Sequence, residues 1–241
     1  MCQTVRLGCG IVHLQLPLPG VLGDQDDPLS LDLRQVTFVV LDTETTGLAP
    51  TSGAVILSIG MISDDHQPHS PCHELELYIT PTEEQWTCAT EQALKVNGLT
   101  LPFLQQNGVP LETAVDKICT WIASQRVWLG TDVIGQNPDF DFRFLRYFMG
   151  SNLLNMGFPI HRNPINVIDM AKELAHCDPT FKLPINGSGR PSFKGSAISQ
   201  ALGLPPEPEI HKALAGAWAC RNNYYALLDR LNKAKKQIRF R

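Results

Sequence analysis

Apolar positions along the chain change period several times, and each change marks a predicted element. From Val36 the text Val-Thr-Phe-Val-Val-Leu is an unbroken apolar, β-branched run, which predicts a central strand buried on both faces. Two further runs, residues 54–63 and 74–79, predict strands on either side of the polar, Pro-containing segment 64–72, so at least one connection should be a hairpin. Helical spacing follows at 90–96 and at 111–123, where Leu111, Val115, Ile118, Cys119 and Ile122 recur at the 3.6-residue period. Residues 127–135 return to a strand. They run into Asn137-Pro138, a favoured N-cap and a favoured first helical residue, and predict a helix over about 138–149. Segments 166–176 and 193–202 also read as helices, and the Pro-rich stretch 205–209 halts regular structure before a last long helix over about 211–231. Strands first, then strand and helix in alternation, predict an α/β fold: a mixed β-sheet, three antiparallel-type strands plus parallel ones, flanked by helices.

Composition narrows this picture. With 241 residues and 43% hydrophobic content the chain can bury one substantial core. Residues 1–35, with Pro17, Pro19, Pro28 and the acidic stretch 24–27, read as an irregular extension; 36–232 form the main domain and 233–241 a basic tail. A net charge of −4 argues against a broad basic footprint on duplex nucleic acid and leaves room for a small site that grips a strand end. Seven scattered cysteines without a C-x-x-C pair suggest neither a disulfide framework nor a zinc ribbon, and fit a reducing cytoplasm. The apolar stretch 11–22 is broken by His13, Gln15, Pro17, Pro19 and Gly20, so it does not read as a secretory leader, and no run approaches the roughly 20 apolar residues of a membrane helix. A cytoplasmic protein without a membrane partner is expected.

Three short motifs carry candidate chemistry. The first is Asp42-Thr43-Glu44-Thr45-Thr46-Gly47-Leu48 at the end of the predicted central strand. Alternate residues of a strand share a face, so Asp42 and Glu44 project together, and their repulsion is tolerable when a hard divalent cation such as Mg²⁺ or Mn²⁺ lies between them. The second is Asn137-Pro138-Asp139-Phe140-Asp141, which delivers acids to a helix N-terminus, where the dipole favours a negative charge. Asp139 and Asp141 lie about 200° apart around a helix, so only one can face the strand that carries Asp42. The third is His211-Lys212-Ala213-Leu214-Ala215-Gly216, a histidine at the mouth of a helix and able to take a proton near neutral pH.

In this order and at these separations the motifs resemble the DEDDh 3′→5′ exonucleases, a family of RNase H-like fold, over roughly residues 36–228. D-x-E-T-T-G-L and N-x-x-F-D are intact, and H-x-A-x-x-G stands where the family has H-x-A-x-x-D. The resemblance selects Asp141 over Asp139. It implies two divalent ions, Mg²⁺ or Mn²⁺, held by Asp42, Glu44 and Asp141, with His211 drawing a proton from the attacking water. Thr45, Thr46, Gly47 and Leu48, with Asn137, would hold the terminal nucleotide of single-stranded DNA or RNA. A polymerase partner or self-association would be in keeping with such a protein.

One departure stands out. Gly216 occupies the place of the family's last metal-binding Asp, and helix propensity gives no reason for a glycine there. Along the same predicted helix Asn223 lies two turns on, roughly 10 Å away, and Asn222 points elsewhere. On the sequence alone the expected enzyme is therefore impaired, and a binding module that recognises 3′ ends without cleaving them is the competing class. His66, His69, Cys72 and His73 in the loop after the second strand lack the second half of a zinc site and are not read as one.

Overall fold

The computed structural model describes residues 6–7, 10–11, 38–64, 72–125, 131–159 and 163–239. The chain divides into two units, Met1–Leu33 and Arg34–Arg241. Within the first, β1 (Arg6–Leu7) and β2 (Gly10–Ile11) pair antiparallel. The remainder of the extension lies outside the described residues.

The second unit is built on β3 (Phe38–Thr45), which pairs antiparallel with β4 (Ile56–Asp64) along its length and parallel with β6 (Asp132–Gly135) at its start. β5 (His73–Tyr78) adds antiparallel to β4, and β7 (Ile165–Asn166) parallel to β6, so the sheet order is β5-β4-β3-β6-β7. The expected sheet of three antiparallel strands plus parallel ones is thus present. Its two faces hold separate cores. Val39 and Leu41 face α4 (Leu111–Ser124) and α5 (Pro138–Asn155), packing with Val115, Ile118, Phe142 and Leu145. Phe38 and Val40 face α6 (Val167–Cys177), α7 (Gly195–Leu202) and α8 (Ala213–Arg239), packing with Leu174, Ile198, Ala217 and Leu227. Each fully buried side chain of this kind contributes roughly 1.5–3 kcal/mol.

Two clamps fix α8 across β4. Gly60 is the first: a Cβ there would lie 2.3 Å from the Ala213 carbonyl carbon and the Leu214 nitrogen, so only glycine lets the start of the helix rest on the strand. Gly60 is also the residue opposite Asp42 in the ladder. The second is a buried ion pair between Arg221 and Asp64, with Tyr225 donating to the same carboxylate at 2.9 Å and the guanidinium over the Tyr225 and Trp218 rings. It lies at the other end of β4, beside the first residue of β3.

Several predicted bounds shift. Residues 127–130 of the expected strand lie outside the described residues, as does 65–71, which contains His66 and His69 of the H-x-x-H-x-x-C-H spacing. α5 continues past Met149, where the backbone kinks, to Asn155. α8 starts two residues later than expected and ends eight later, because Lys, Ala and Gln sustain a helix and Asp229–Lys233 and Glu173–Lys235 pairs support its last turns. Three short helices were not predicted: α1 (Glu83–Thr87), α3 (Leu101–Asn107) and a 3-10 turn at Pro50–Ser52. They are shorter than a periodicity window, although Thr82 and Gln85 form a capping box whose T-x-x-Q pattern was readable. The helix at 91–97, here α2 (Glu91–Asn97), falls where expected, capped by Thr90. No helix among the described residues is long and apolar enough to cross a membrane.

Candidate active site

The alternation of β3 puts Asp42 and Glu44 on the face that α8 covers, at the end of the strand that extends beyond its parallel neighbour β6. Pairing with β4 slips between Glu44 and Thr45, a bulge that ends the ladder and turns the chain toward α2. α5 begins just past the end of β6. Its Asp141 is buried and accepts a hydrogen bond of 2.6 Å from Thr43 Oγ1, while Asp139 is exposed to solvent. Of the two aspartates, the one the resemblance selects is thus the one turned into the protein.

Asn137 precedes α5 as expected, but it caps nothing. It takes a left-handed conformation (φ 61°, ψ 53°), its side chain makes no capping bond, and its N–H donates to Asn166 Oδ1 at 3.2 Å. Asn is among the few residues that tolerate this region, and the resulting sharp turn aims the first turn of α5 at β3.

His211 sits two residues before α8, its N–H donating to the Val96 carbonyl at 3.1 Å, which ties it to α2. Its Nδ1 lies 3.7 Å from Glu207 Oε1. Asp42, Glu44, Asp141 and His211 all line one cleft of about 780 Å³, together with Asn137, Gln136, Phe140, Lys194, Glu207 and Gly216. That volume falls within the roughly 300–1,000 Å³ of small-ligand sites.

Four carboxylates share this cleft, and the energetics are those of uncompensated charge. Asp42 keeps a window on the cleft yet is surrounded by protein, and burial, then Asp141, Glu44 and Glu207, hold it well above the usual carboxylate range. Glu44 is pushed up to about 8 by burial and by Glu207 and Asp141. Asp141 is raised to about 7, burial outweighing its hydrogen bonds from Thr43 and the backbone. Burial raises Glu207 too, against the pull of His211. Among the described residues none of the four meets a Lys or Arg at ion-pair distance. Among the described residues no three of these groups converge on one point at ligating distance. A set of buried acids whose charged forms lack a counter-ion fits hard divalent cations, which favour oxygen ligands and neutralise what folding has gathered.

The loop after β3 is held from within. Thr45 Oγ1 donates to the Gly47 carbonyl at 2.7 Å, and the fully buried Thr46 hydroxyl accepts from Val55 N–H at 2.8 Å. Asn97 donates to the Thr45 carbonyl and Thr90 to the Thr46 carbonyl. These bonds leave Leu48 standing out, 82% exposed, on the rim of a smaller hollow of about 370 Å³ lined by Glu44, Gly47, Ala93, Val96 and Phe140.

The sequence reading missed Thr43, Asn97 and Glu207. Thr43 and Asn97 reach the site only through contacts made across the fold. Glu207 did leave a local signal, an acid four residues before the histidine. Asn223 is engaged elsewhere, accepting from Ser199 Oγ at 3.0 Å and donating to the Gly195 carbonyl.

A mixed sheet with an acidic pair at the end of its central strand, a third acid at the head of α5 and a histidine just before the last helix is the arrangement to set beside known proteins. The chain has the fold of solved Exonuclease I structures and is similar in sequence to DNA polymerase III PolC-type and epsilon proteins. No family model matches it. It is 26% identical over 206 residues to a DNA polymerase III PolC-type of Thermotoga petrophila, covering 83% of this chain and 12% of that one. It is 25% identical over 205 residues to the DNA polymerase III subunit epsilon of Rickettsia typhi, covering 81% and 80% respectively. Among solved structures it resembles Exonuclease I from Methylocaldum szegediense, with a TM-score of 0.68, 22% identity and 83% of this chain covered against 42% of that chain. E. coli Exonuclease I in complex with a dA16 oligonucleotide matches at TM-score 0.67 and 20% identity, over 83% and 42%. The chain thus spans about an eighth of the PolC-type relatives and less than half of the Exonuclease I structures.

Proposed function

We propose that the protein is a metal-dependent 3′→5′ exonuclease that removes nucleotides from the 3′ end of single-stranded DNA. The observation that carries this reading is the meeting of Asp42, Glu44, Asp141 and His211, from three separate elements, in one cleft. Divalent ions held by Asp42, Glu44 and Asp141 would supply the positive charge that a phosphodiester needs to approach bare carboxylates and that its leaving 3′ oxygen needs in the transition state. Thr43 orients Asp141 through its 2.6 Å hydrogen bond. His211 presents Nδ1 to Glu207, which leaves Nε2 to take the proton of the attacking water. The backbone of Thr45 to Gly47 and the projecting Leu48 hold the terminal nucleotide, Leu48 as an apolar wedge against the last base. The epsilon-subunit relative supports association with a polymerase as the setting for this activity.

The experiment is degradation of single-stranded oligonucleotides labelled at either end, with Mg²⁺ or Mn²⁺. Expected are shortening from the 3′ end, its abolition by EDTA, and its loss in Asp42→Asn. Hydrolysis that survives EDTA would refute the metal role. Tight binding of 3′ ends with no cleavage under either metal would make the protein a recognition module instead.

A further inference from the structure

Gly216 leaves the family's metal-binding set one acid short on its own helix, but the structure brings a different acid to that spot. A Cβ built on Gly216 would lie 2.2 Å from Asp42 Oδ2, 2.8 Å from Asp42 Cγ and 3.1 Å from Glu207 Oε1. The space a side chain at 216 would use is already occupied by two carboxylates, one from β3 and one from the loop before α8. Backbone conformation does not explain the glycine, since its N–H makes an ordinary helical bond to the Lys212 carbonyl at 2.8 Å. Room for the acids does. Glu207 reaches the cleft from Pro205-Pro206-Glu207-Pro208, where the prolines fix the backbone of the loop. Its side chain is only 14% exposed, and its one ion-pair partner among the described residues is His211, at 3.7 Å. A side chain so buried, beside three other acids and with no Lys or Arg at ion-pair distance among the described residues, is accounted for when a cation completes the group.

Resting on the exonuclease reading above, we propose that Glu207 is the fourth carboxylate of the metal site and takes the place left empty at 216. An acid nine residues earlier in the chain, delivered by a loop, then does what the helix residue does in the resembling family. Gly216 on this account is the clearance that Glu207 requires, and the site has its full count of acids, so the deficit expected from the sequence alone is made good.

The test is Mn²⁺ binding to the full chain, measured by calorimetry and by electron paramagnetic resonance, for the wild type, Glu207→Gln and Asp42→Asn. Gln keeps the shape of Glu and can still hydrogen-bond His211, so a role confined to orienting the histidine leaves Mn²⁺ affinity unchanged and shifts only the pH profile of hydrolysis. Loss of a ligand lowers the affinity of at least one ion by about tenfold or more, judged against the 10–100-fold seen when even supporting groups of metal sites are removed. Melting in EDTA serves as the control for folding: Glu207→Gln should melt no lower than the wild type, since it removes an uncompensated anion. A loss of Mn²⁺ affinity below tenfold, or one accompanied by a lower melting temperature in EDTA, overturns the proposal. The Asp42→Asn protein separates the two levels of inference. If the wild type binds no Mn²⁺ that depends on Asp42, the exonuclease reading falls and this one with it; if it binds and Glu207→Gln binds equally well, only the role of Glu207 falls.

Discussion

A site assembled from repelling acids should be a burden on the metal-free protein, and Glu44→Gln measures that burden. Glu44 titrates at about 8 in the folded protein against 4.5 for the unperturbed group, so folding disfavours its charged form by on the order of 5 kcal/mol, at 1.36 kcal/mol per pKa unit. Burial is the largest cause and repulsion by Glu207 and Asp141 the rest; the neighbours relax when Glu44 is neutral, so about 2–3 kcal/mol should be recovered in the variant. The sign follows from proton counting. Below about 4.5 the carboxyl is protonated in both states and the substitution changes little. Between 4.5 and about 8 the unfolded chain releases a proton that the folded protein keeps at Glu44, so the wild type loses stability with rising pH more steeply than the variant, which retains only the raised Asp42, Asp141 and Glu207. The gap is largest above 8. For a chain of this size 1 kcal/mol moves the melting temperature by roughly 2–4 °C, so Glu44→Gln in EDTA should melt about 5–10 °C higher than wild type at pH 9 and nearly level with it at pH 4.5. Mn²⁺ at 100 times its dissociation constant adds about 2.7 kcal/mol to the wild type alone and should bring the two proteins level, and at 1,000 times, about 4.1 kcal/mol, it should reverse the order. Scanning calorimetry at the two pH values, with and without Mn²⁺, decides it. A variant that melts lower than wild type in EDTA at pH 9, or whose margin is the same at both pH values, would show that Glu44 is not held under repulsion and that the metal has nothing to relieve.

Other perturbations probe the parts that hold the site. Gly60→Ala drives a methyl into the Ala213–Leu214 backbone and should cost about 1–3 kcal/mol, seen in urea titration, with a fall in Mn²⁺ affinity as α8 is pushed off Asp42; wild-type affinity would mean that the start of α8 is not what closes the cleft. Arg221→Met strands Asp64 without its cation and should cost about 3–5 kcal/mol, whereas replacing both partners with apolar residues should recover most of it; equal losses in the single and double variants would deny the pair its role. Leu48→Ala should raise KM for single-stranded DNA severalfold with melting unchanged, because the side chain touches little in the free protein; an unaltered KM would remove the wedge.

How much of this was legible in advance divides along physical lines. The strand that carries Asp42 and Glu44 could be read from local text, because a run buried on both faces must be apolar throughout and alternation then places the two acids together. The ordered sheet and the long amphipathic helices follow from hydrophobic period for the same reason, since period is a property of neighbouring residues. What could not be read is what depends on separate elements coming into contact. The Asn137 turn looked like a helix cap from its sequence, and only the approach of Asn166 from the next β–α unit shows it to be a left-handed bend. Thr43 lies on the strand face opposite the acids and gains its role only when α5 sets Asp141 against it. Gly216 and Gly60 are unexplained glycines in one dimension; in three a side chain at Gly60 would strike the backbone of α8, and one at Gly216 would strike the Asp42 carboxylate. Glu207 shows the limit most clearly. In the sequence it is an acid in a Pro-rich loop, while the position that seemed to need an acid is nine residues further on; in the fold a Cβ at 216 would lie 3.1 Å from Glu207 Oε1. The sequence by itself determined which residues have the chemistry and which segments could carry them, because those are local matters of side chain and period. The tertiary structure alone decided which acids share a cleft, because charge, burial and clearance are set by neighbours that the chain brings together only on folding.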